Sequence, residues 1–237
     1  MALPKLTTPT YELEVPSTDE KLKYRPFLVR EEKILLIALE SGENKDILTA
    51  VKDIVNECTF NKLKIGNMPM FDLEYIFLNI RAKSVGEIST LKLKCPDDEE
   101  TFVDVDVDLS EVNVQVDEGH SPKIELTDDM GLIMKYPSID SFSESGITNI
   151  TANNMLDVIG SCILQIYDKK GEEVFEAKDQ TKKELTEFVE SLNTKQFQEV
   201  QKFFDTMPKL TLKITIENPK TKVKSDVVLQ GLNDFFV

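Results

Sequence analysis

The sequence predicts an α+β fold in which helices pack with two β-hairpins. Three observations carry that prediction. Apolar residues recur at helical spacing over Asn44 to Cys58, the period drops to two in "LKLKC" and "FVDVDVDL", and the same drop returns in "LTLKITIE" near the end of the chain. The order is therefore helices, hairpin, helices, hairpin.

Residues 1–29 read as an extended N-terminal arm. It contains a short strand, "YELEV" (Tyr11 to Val15), bounded by Pro9 and Pro16, and a second extended piece, "YRPFLV", where Pro26 disfavours helix at Arg25. A helix begins near Arg30, with Glu31 and Glu32 suiting its positive end and Gly42 as its stop. In the next helix Ile47, Leu48, Val51, Ile54, Val55 and Cys58 make one stripe. A third helix starts near Pro69 and ends at Gly86, with Asp72 and Glu74 early and Arg81 and Lys83 late. Leu73, Ile76, Phe77 and Ile80 line one side, and Tyr75 and Leu78 add apolar surface elsewhere, so this helix is expected to be central.

The first hairpin pairs Leu91 to Cys95 with Phe102 to Leu109 across the turn "PDDEE", lysines facing aspartates on the wet face. Further strands are expected at Val112 to Val116, Lys123 to Leu126 and Gly131 to Tyr136. Ser138 to Asn149 is a polar link. After it the spacing predicts helices over Asn153 to Tyr167, over Thr181 to Leu192 with a Thr181/Glu184 capping box, and from Thr194 as N-cap to Pro208. "DKKGEEVF" supplies a turn and short strand, and "NPKT" turns the second hairpin. The divisions are thus residues 1–29, 30–137 and 150–237, the last two either separate or one compact unit.

At 237 residues, with 41% hydrophobic and 30% charged, the chain reads as globular. No apolar run approaches the roughly 18 residues of a membrane span. The segment "MALPKLTTPTYELEVPSTDEK" lacks the apolar stretch of a signal peptide, so the protein is expected to stay in the compartment where it is made. The net charge of −15, from 43 acidic and 28 basic residues, repels a phosphate backbone and argues against nucleic acid as partner. Three scattered cysteines, Cys58, Cys95 and Cys162, make no disulfide framework and fit a reducing cytoplasm.

Catalytic chemistry has no support. The sole histidine, His120, sits in the loop "DEGHSP" and is expected to be exposed. There is no nucleophile elbow, Walker loop, dinucleotide glycine run or paired-histidine metal motif. The aspartates of "DVDVD" lack the glycine and later glutamate of an EF-hand loop, and on a strand they line one side about 7 Å apart. No catalytic residue, metal ligand or cofactor is assigned.

One segment carries a family resemblance. "MPMFDLEYIFLNIRAKSVGE" (Met68 to Glu87), followed by strand, Cys95, acidic turn and strand, resembles the baseplate hub assembly proteins of T-even-type contractile-tailed bacteriophages. "LIMKYP", "FVESLNTKQFQEVQKFFDTMPKLTLKI" and the terminal "LQGLNDFF" resemble later parts of that family in order and spacing, from Tyr11 to Phe236 in all. The resemblance implies a non-enzymatic role in building the hub by binding other phage baseplate hub proteins. It leaves open a permanent structural subunit, a homo-oligomer and, remotely, a tail-associated enzyme. It implies the host cytoplasm during assembly, or the virion tail baseplate. Members carry cysteine pairs at two hairpin tips that resemble zinc-ribbon knuckles. This chain keeps only Cys95 at the first tip and none in "ENPKTK", short of the four ligands a structural zinc needs, so no zinc is expected.

Candidate partner-binding residues are those whose side chains lack an obvious home in the chain. They are Leu13, Val15 and Phe27 of the arm and Phe235 and Phe236, the last two either a core plug or a docking peptide. Arg81 and Lys83 join them, either satisfying the helix dipole, holding an acidic partner or anchoring the aspartate-rich hairpin.

Overall fold

The computed structural model describes residues 6–140 and 154–235. In chain order the first elements are β1 (Tyr11–Glu14), β2 (Lys21–Tyr24), α1 (Val29–Ser41), α2 (Asn44–Cys58), α3 (Met70–Val85), β3 (Ile88–Lys94), β4 (Phe102–Asp108) and β5 (Asn113–Gln115). There follow β6 (Lys123–Glu125), β7 (Met130–Met134), α4 (Met155–Ser161), β8 (Ile163–Asp168), β9 (Glu173–Glu176), α5 (Lys182–Glu190), α6 (Thr194–Thr206), β10 (Lys209–Glu217) and β11 (Lys224–Gln230). Strands pair antiparallel in four small sheets among the described residues, which makes the α+β class of the prediction. Two compact units form: Met1–Ile65 with Phe71–Gln115 and Lys209–Val237, and Gly66–Met70 with Val116–Pro208.

In the first unit the period-two segments behave as expected. β3 and β4 pair with Lys92 opposite Asp104, and the Thr90 hydroxyl donates to Asp106 at 2.7 Å. Leu91 and Val107 turn inward to a core that also holds Leu78 of α3, Leu210, Leu229 and Phe235. β10 lies between β11 and β5. α2 buries Val51, Ile54, Val55 and Cys58, the stripe its spacing predicts. α3 is central: Ile76, Phe77 and Ile80 have no exposure, and Gly86 ends it at a φ of 127° that favours glycine. Its Asp72 carboxylate accepts from the Ser17 amide at 3.1 Å and from the Ser17 hydroxyl, which ties the turn after β1 to the helix. Burial raises the Asp72 pKa, opposed by those two donors.

The second unit is a β6-β7-β8-β9 meander whose core gathers Leu132, Ile163, Val200 and Phe203. Here one expectation fails. The helix expected over Asn153 to Tyr167 stops at Ser161, and Ile163–Asp168 is a strand paired with β7 and β9. Gly160 and Ser161 are weak helix formers, whereas the β-branched and aromatic residues after Cys162 suit a sheet with two flanking partners. Gly131 explains itself in this sheet. It pairs with Tyr167, and a Cβ there would fall 2.1 Å from the tyrosine hydroxyl oxygen. The Thr181/Glu184 capping box forms as predicted. α6 is capped one residue earlier than expected, by Asn193, whose Oδ1 accepts from the Lys195 and Gln196 amides. Most of the polar link at Ser138 to Asn149 lies outside the described residues.

Candidate functional site: two paired hairpin tips

The tips of the two long hairpins in the first unit are built alike. Each opens with a residue followed by proline, Cys95-Pro96 in one and Asn218-Pro219 in the other. The carbonyl of that opening residue accepts from the amide four positions on, Glu99 at 3.0 Å and Lys222 at 2.9 Å. Both of those later residues take positive φ, 53° and 63°. The opening amides donate across the hairpin neck, Cys95 to Thr101 at 2.8 Å and Asn218 to Val223 at 2.9 Å. Cys95 and Asn218 thus occupy equivalent positions, and each is 1% exposed. Proline after the opening residue restricts its backbone and favours this bend.

The tips are also joined. The Asn218 side-chain amide donates to both oxygens of Asp97, at 3.0 and 3.1 Å, and the Thr221 hydroxyl donates to Asp97 at 2.5 Å. Asn218 Oδ1 meanwhile accepts from the Lys220 amide at 2.8 Å and closes its own turn. Asp98 plays that role in the first tip, accepting from the Thr101 hydroxyl at 2.6 Å and from the Thr101 and Glu100 amides. The hydrogen bonds from Thr221 and Asn218 lower the Asp97 pKa, and those from Thr101 hold Asp98 far below the ordinary carboxylate range. These tips do not fit a structural zinc. They offer one thiol, with burial raising its pKa, and carboxylates whose oxygens already accept hydrogen bonds. The staple is a polar one. Asn218→Ala is expected to lower the unfolding free energy by about 1–3 kcal/mol, because it removes a buried bridging amide. Chelator should leave the wild-type urea midpoint unchanged.

The residues expected to meet partners do not assemble into one patch. Leu13, Val15 and Phe27 have homes in the unit after all: each is buried, and the Phe27 amide donates to the Ser84 hydroxyl at 2.9 Å. Isolated apolar residues on a short strand look unpartnered in sequence, but Leu13 pairs with Leu22 across the β1–β2 hairpin. Arg81 is half-buried and donates to Ser89 at 3.3 Å. Lys83 is paired with Glu87, four residues on, and lies 5.6 Å from the centre of the Tyr11 ring. Phe235 has no exposure. Phe236 lies outside the described residues.

Glu74, read in the sequence only as an acidic residue early in its helix, does more in the fold. Its carboxylate accepts from the Leu232 amide at 3.2 Å, which holds the segment after β11 against α3. Burial pushes its pKa up to about 7, against the pull of that hydrogen bond. A folded pKa raised above the unfolded value means the associated stability is full below about pH 4.5 and lost as pH rises through 7. Glu74→Gln keeps the acceptor without the charge. It is therefore expected to be more stable to unfolding than wild type at pH 8 by about 2–3 kcal/mol, with the gap closing toward pH 5.

In the second unit His120 is not the exposed loop residue expected. Its Nδ1 lies 3.0 Å from the Thr206 hydroxyl and its Nε2 3.0 Å from the Tyr136 hydroxyl, with the ring stacked on Tyr136. Because Thr206 donates to the Lys202 carbonyl, it accepts from Nδ1–H, and Nε2 accepts from Tyr136. Burial lowers the pKa of the imidazole and favours this neutral form.

Among the described residues no three histidine, cysteine or acidic side chains converge as a metal site, and no helix is long and apolar enough to cross a membrane. Compared with known proteins, residues 8–237 match the family model described as T4 bacteriophage base plate protein. No curated protein and no solved structure matches.

Proposed function

Because the chain belongs to the T4 bacteriophage base plate protein family, we propose that it is a non-enzymatic assembly factor of the baseplate hub, acting by protein–protein binding. The observation that carries the baseplate role is the family match itself, which runs through both units. The segment Met68 to Glu87, whose likeness to hub assembly proteins supports the finer role, supplies the central helix of the first unit. At the end of that helix Lys83, Val85 and Ile88 are all exposed, and this corner is the proposed contact with other hub proteins. Its two aliphatic side chains supply area for burial, and Lys83 with its paired Glu87 supplies a polar rim. The proposed site of action is the host cytoplasm during assembly.

The test is quantitative mass spectrometry on two fractions of one late infection. One is the material captured with a tagged copy of this protein; the other is purified virions. Hub proteins in the first with little of this chain in the second fit an assembly factor. Several copies per virion make it a permanent subunit instead. Absence of tail proteins from the first fraction and of this chain from the second removes the hub reading.

A further inference from the structure

α1 carries apolar side chains around most of its circumference. Glu31, Leu35 and Ala38 form the stripe that faces inward. Val29 is 80% exposed, Ile34 44%, Leu36 54% and Ile37 57%. A helix that is apolar on all sides is normally covered on all sides, and clustered exposed aliphatics rimmed by charge mark an interface. At 3.6 residues per turn, Val29, Lys33, Leu36, Ile37 and Glu40 fall along one strip opposite the buried stripe.

We propose that this strip seats the same strip of a second copy, antiparallel, about a twofold axis passing between Leu36 and Ile37. The argument for a second copy over another partner is the strip's own charge order. In that register Leu36 of one copy meets Ile37 of the other, and Lys33 meets Glu40 on both sides of the axis. A twofold contact requires such self-complementarity, and a contact with an unrelated surface does not. Ridges of residues three and four apart on the two helices interdigitate in this arrangement. The net charge of −15 opposes approach of two copies at long range, but salt screens it beyond about 8 Å and the strip carries one charge of each sign.

Sedimentation or light scattering on the purified full chain over a range of concentrations tests this. Wild type is expected to form a concentration-dependent dimer, and Leu36→Asp to remain monomeric. Lys33→Glu and Glu40→Lys should each weaken the dimer at least roughly tenfold, because like charges then face each other twice. The Lys33→Glu/Glu40→Lys double variant should recover wild-type affinity. These side chains are exposed, so circular dichroism is expected to show wild-type folding throughout. A chain that stays monomeric, including one that uses α1 for a different baseplate subunit, overturns the proposal. So does a dimer that survives Leu36→Asp, or a double variant as weak as the single ones.

Discussion

Replacing Glu31 with alanine is expected to lower the unfolding free energy by about 3–5 kcal/mol, a large part of the roughly 5–15 kcal/mol that holds a typical domain. Glu31 is 2% exposed. One of its oxygens accepts from Arg25 at 3.0 Å and Arg30 at 2.6 Å, and the other from the Leu28 amide at 2.7 Å. Arg25 is itself buried, with further bonds to the Pro26 carbonyl at 2.9 Å and the Cys58 sulfur at 3.6 Å. Alanine at 31 would leave that guanidinium inside the unit without its carboxylate and remove the acceptor that starts α1. The loss should therefore appear both in the urea midpoint and in helical circular dichroism.

Two companion measurements separate the ion pair from generic damage. Replacing both partners, Arg25→Met with Glu31→Leu, should cost much less than Glu31→Ala alone, because the stranded charge goes with its counter-charge. The pH dependence gives the second. Burial disfavours the ionised Glu31, but the hydrogen bonds from Arg25, Arg30 and Leu28 outweigh it and leave the pKa below its ordinary value. A depressed folded pKa contributes stability that is present above about pH 4.3 and is lost as pH falls through the folded value. Wild type should accordingly lose its advantage over Glu31→Gln in acid. If Glu31→Ala matches the double variant in stability, the ion pair is not what anchors α1.

Glu31 also shows where sequence reading reaches its limit. Its place in the first helical turn suits the dipole, and the sequence pattern says no more. The buried arginine that completes the site is six residues upstream, in what reads as an extended arm. Local periodicity was sufficient for α2 and for both long hairpins, since their neighbours lie across short turns. It misled at Ile163–Asp168 because apolar residues at Met155, Ile159, Cys162, Ile163 and Ile166 fit a helix as well as they fit a strand between two partners. The tip openings Cys95-Pro96 and Asn218-Pro219 are alike in sequence, each a residue followed by proline. The bond that joins the tips, from Asn218 to Asp97, spans 121 residues and has no local signature. Partner surfaces were the least legible for the same reason. Leu13, Val15 and Phe27 look homeless until the tertiary neighbours that cover them are known, whereas Ile34, Leu36 and Ile37, equally apolar, stand exposed.

Phe235 tests that last distinction most directly, since its sequence context admitted either a core plug or a docking peptide. Its side chain has no exposure and packs in the cluster that includes Leu78, Leu91, Leu210 and Leu229. The short segment that carries it is latched by three bonds: the Gly231 amide to the Leu210 carbonyl at 3.0 Å, the Leu232 amide to Glu74 at 3.2 Å, and the Gln230 amide to Asp234 at 2.7 Å. Truncation to alanine leaves a cavity between α3 and the hairpins that this backbone cannot collapse without breaking those bonds. Phe235→Ala is therefore expected to lose about 3–5 kcal/mol in urea unfolding, and Phe235→Leu distinctly less. A docking peptide behaves in the opposite way: its alanine variant keeps the urea midpoint and loses captured hub proteins. Measuring both quantities on one variant decides the matter. If stability and capture fall together, Glu74→Gln separates them, since at pH 8 it raises stability by removing a buried charge without touching Phe235. Capture that recovers in the Phe235→Ala/Glu74→Gln double variant in step with its stability assigns Phe235 to the core.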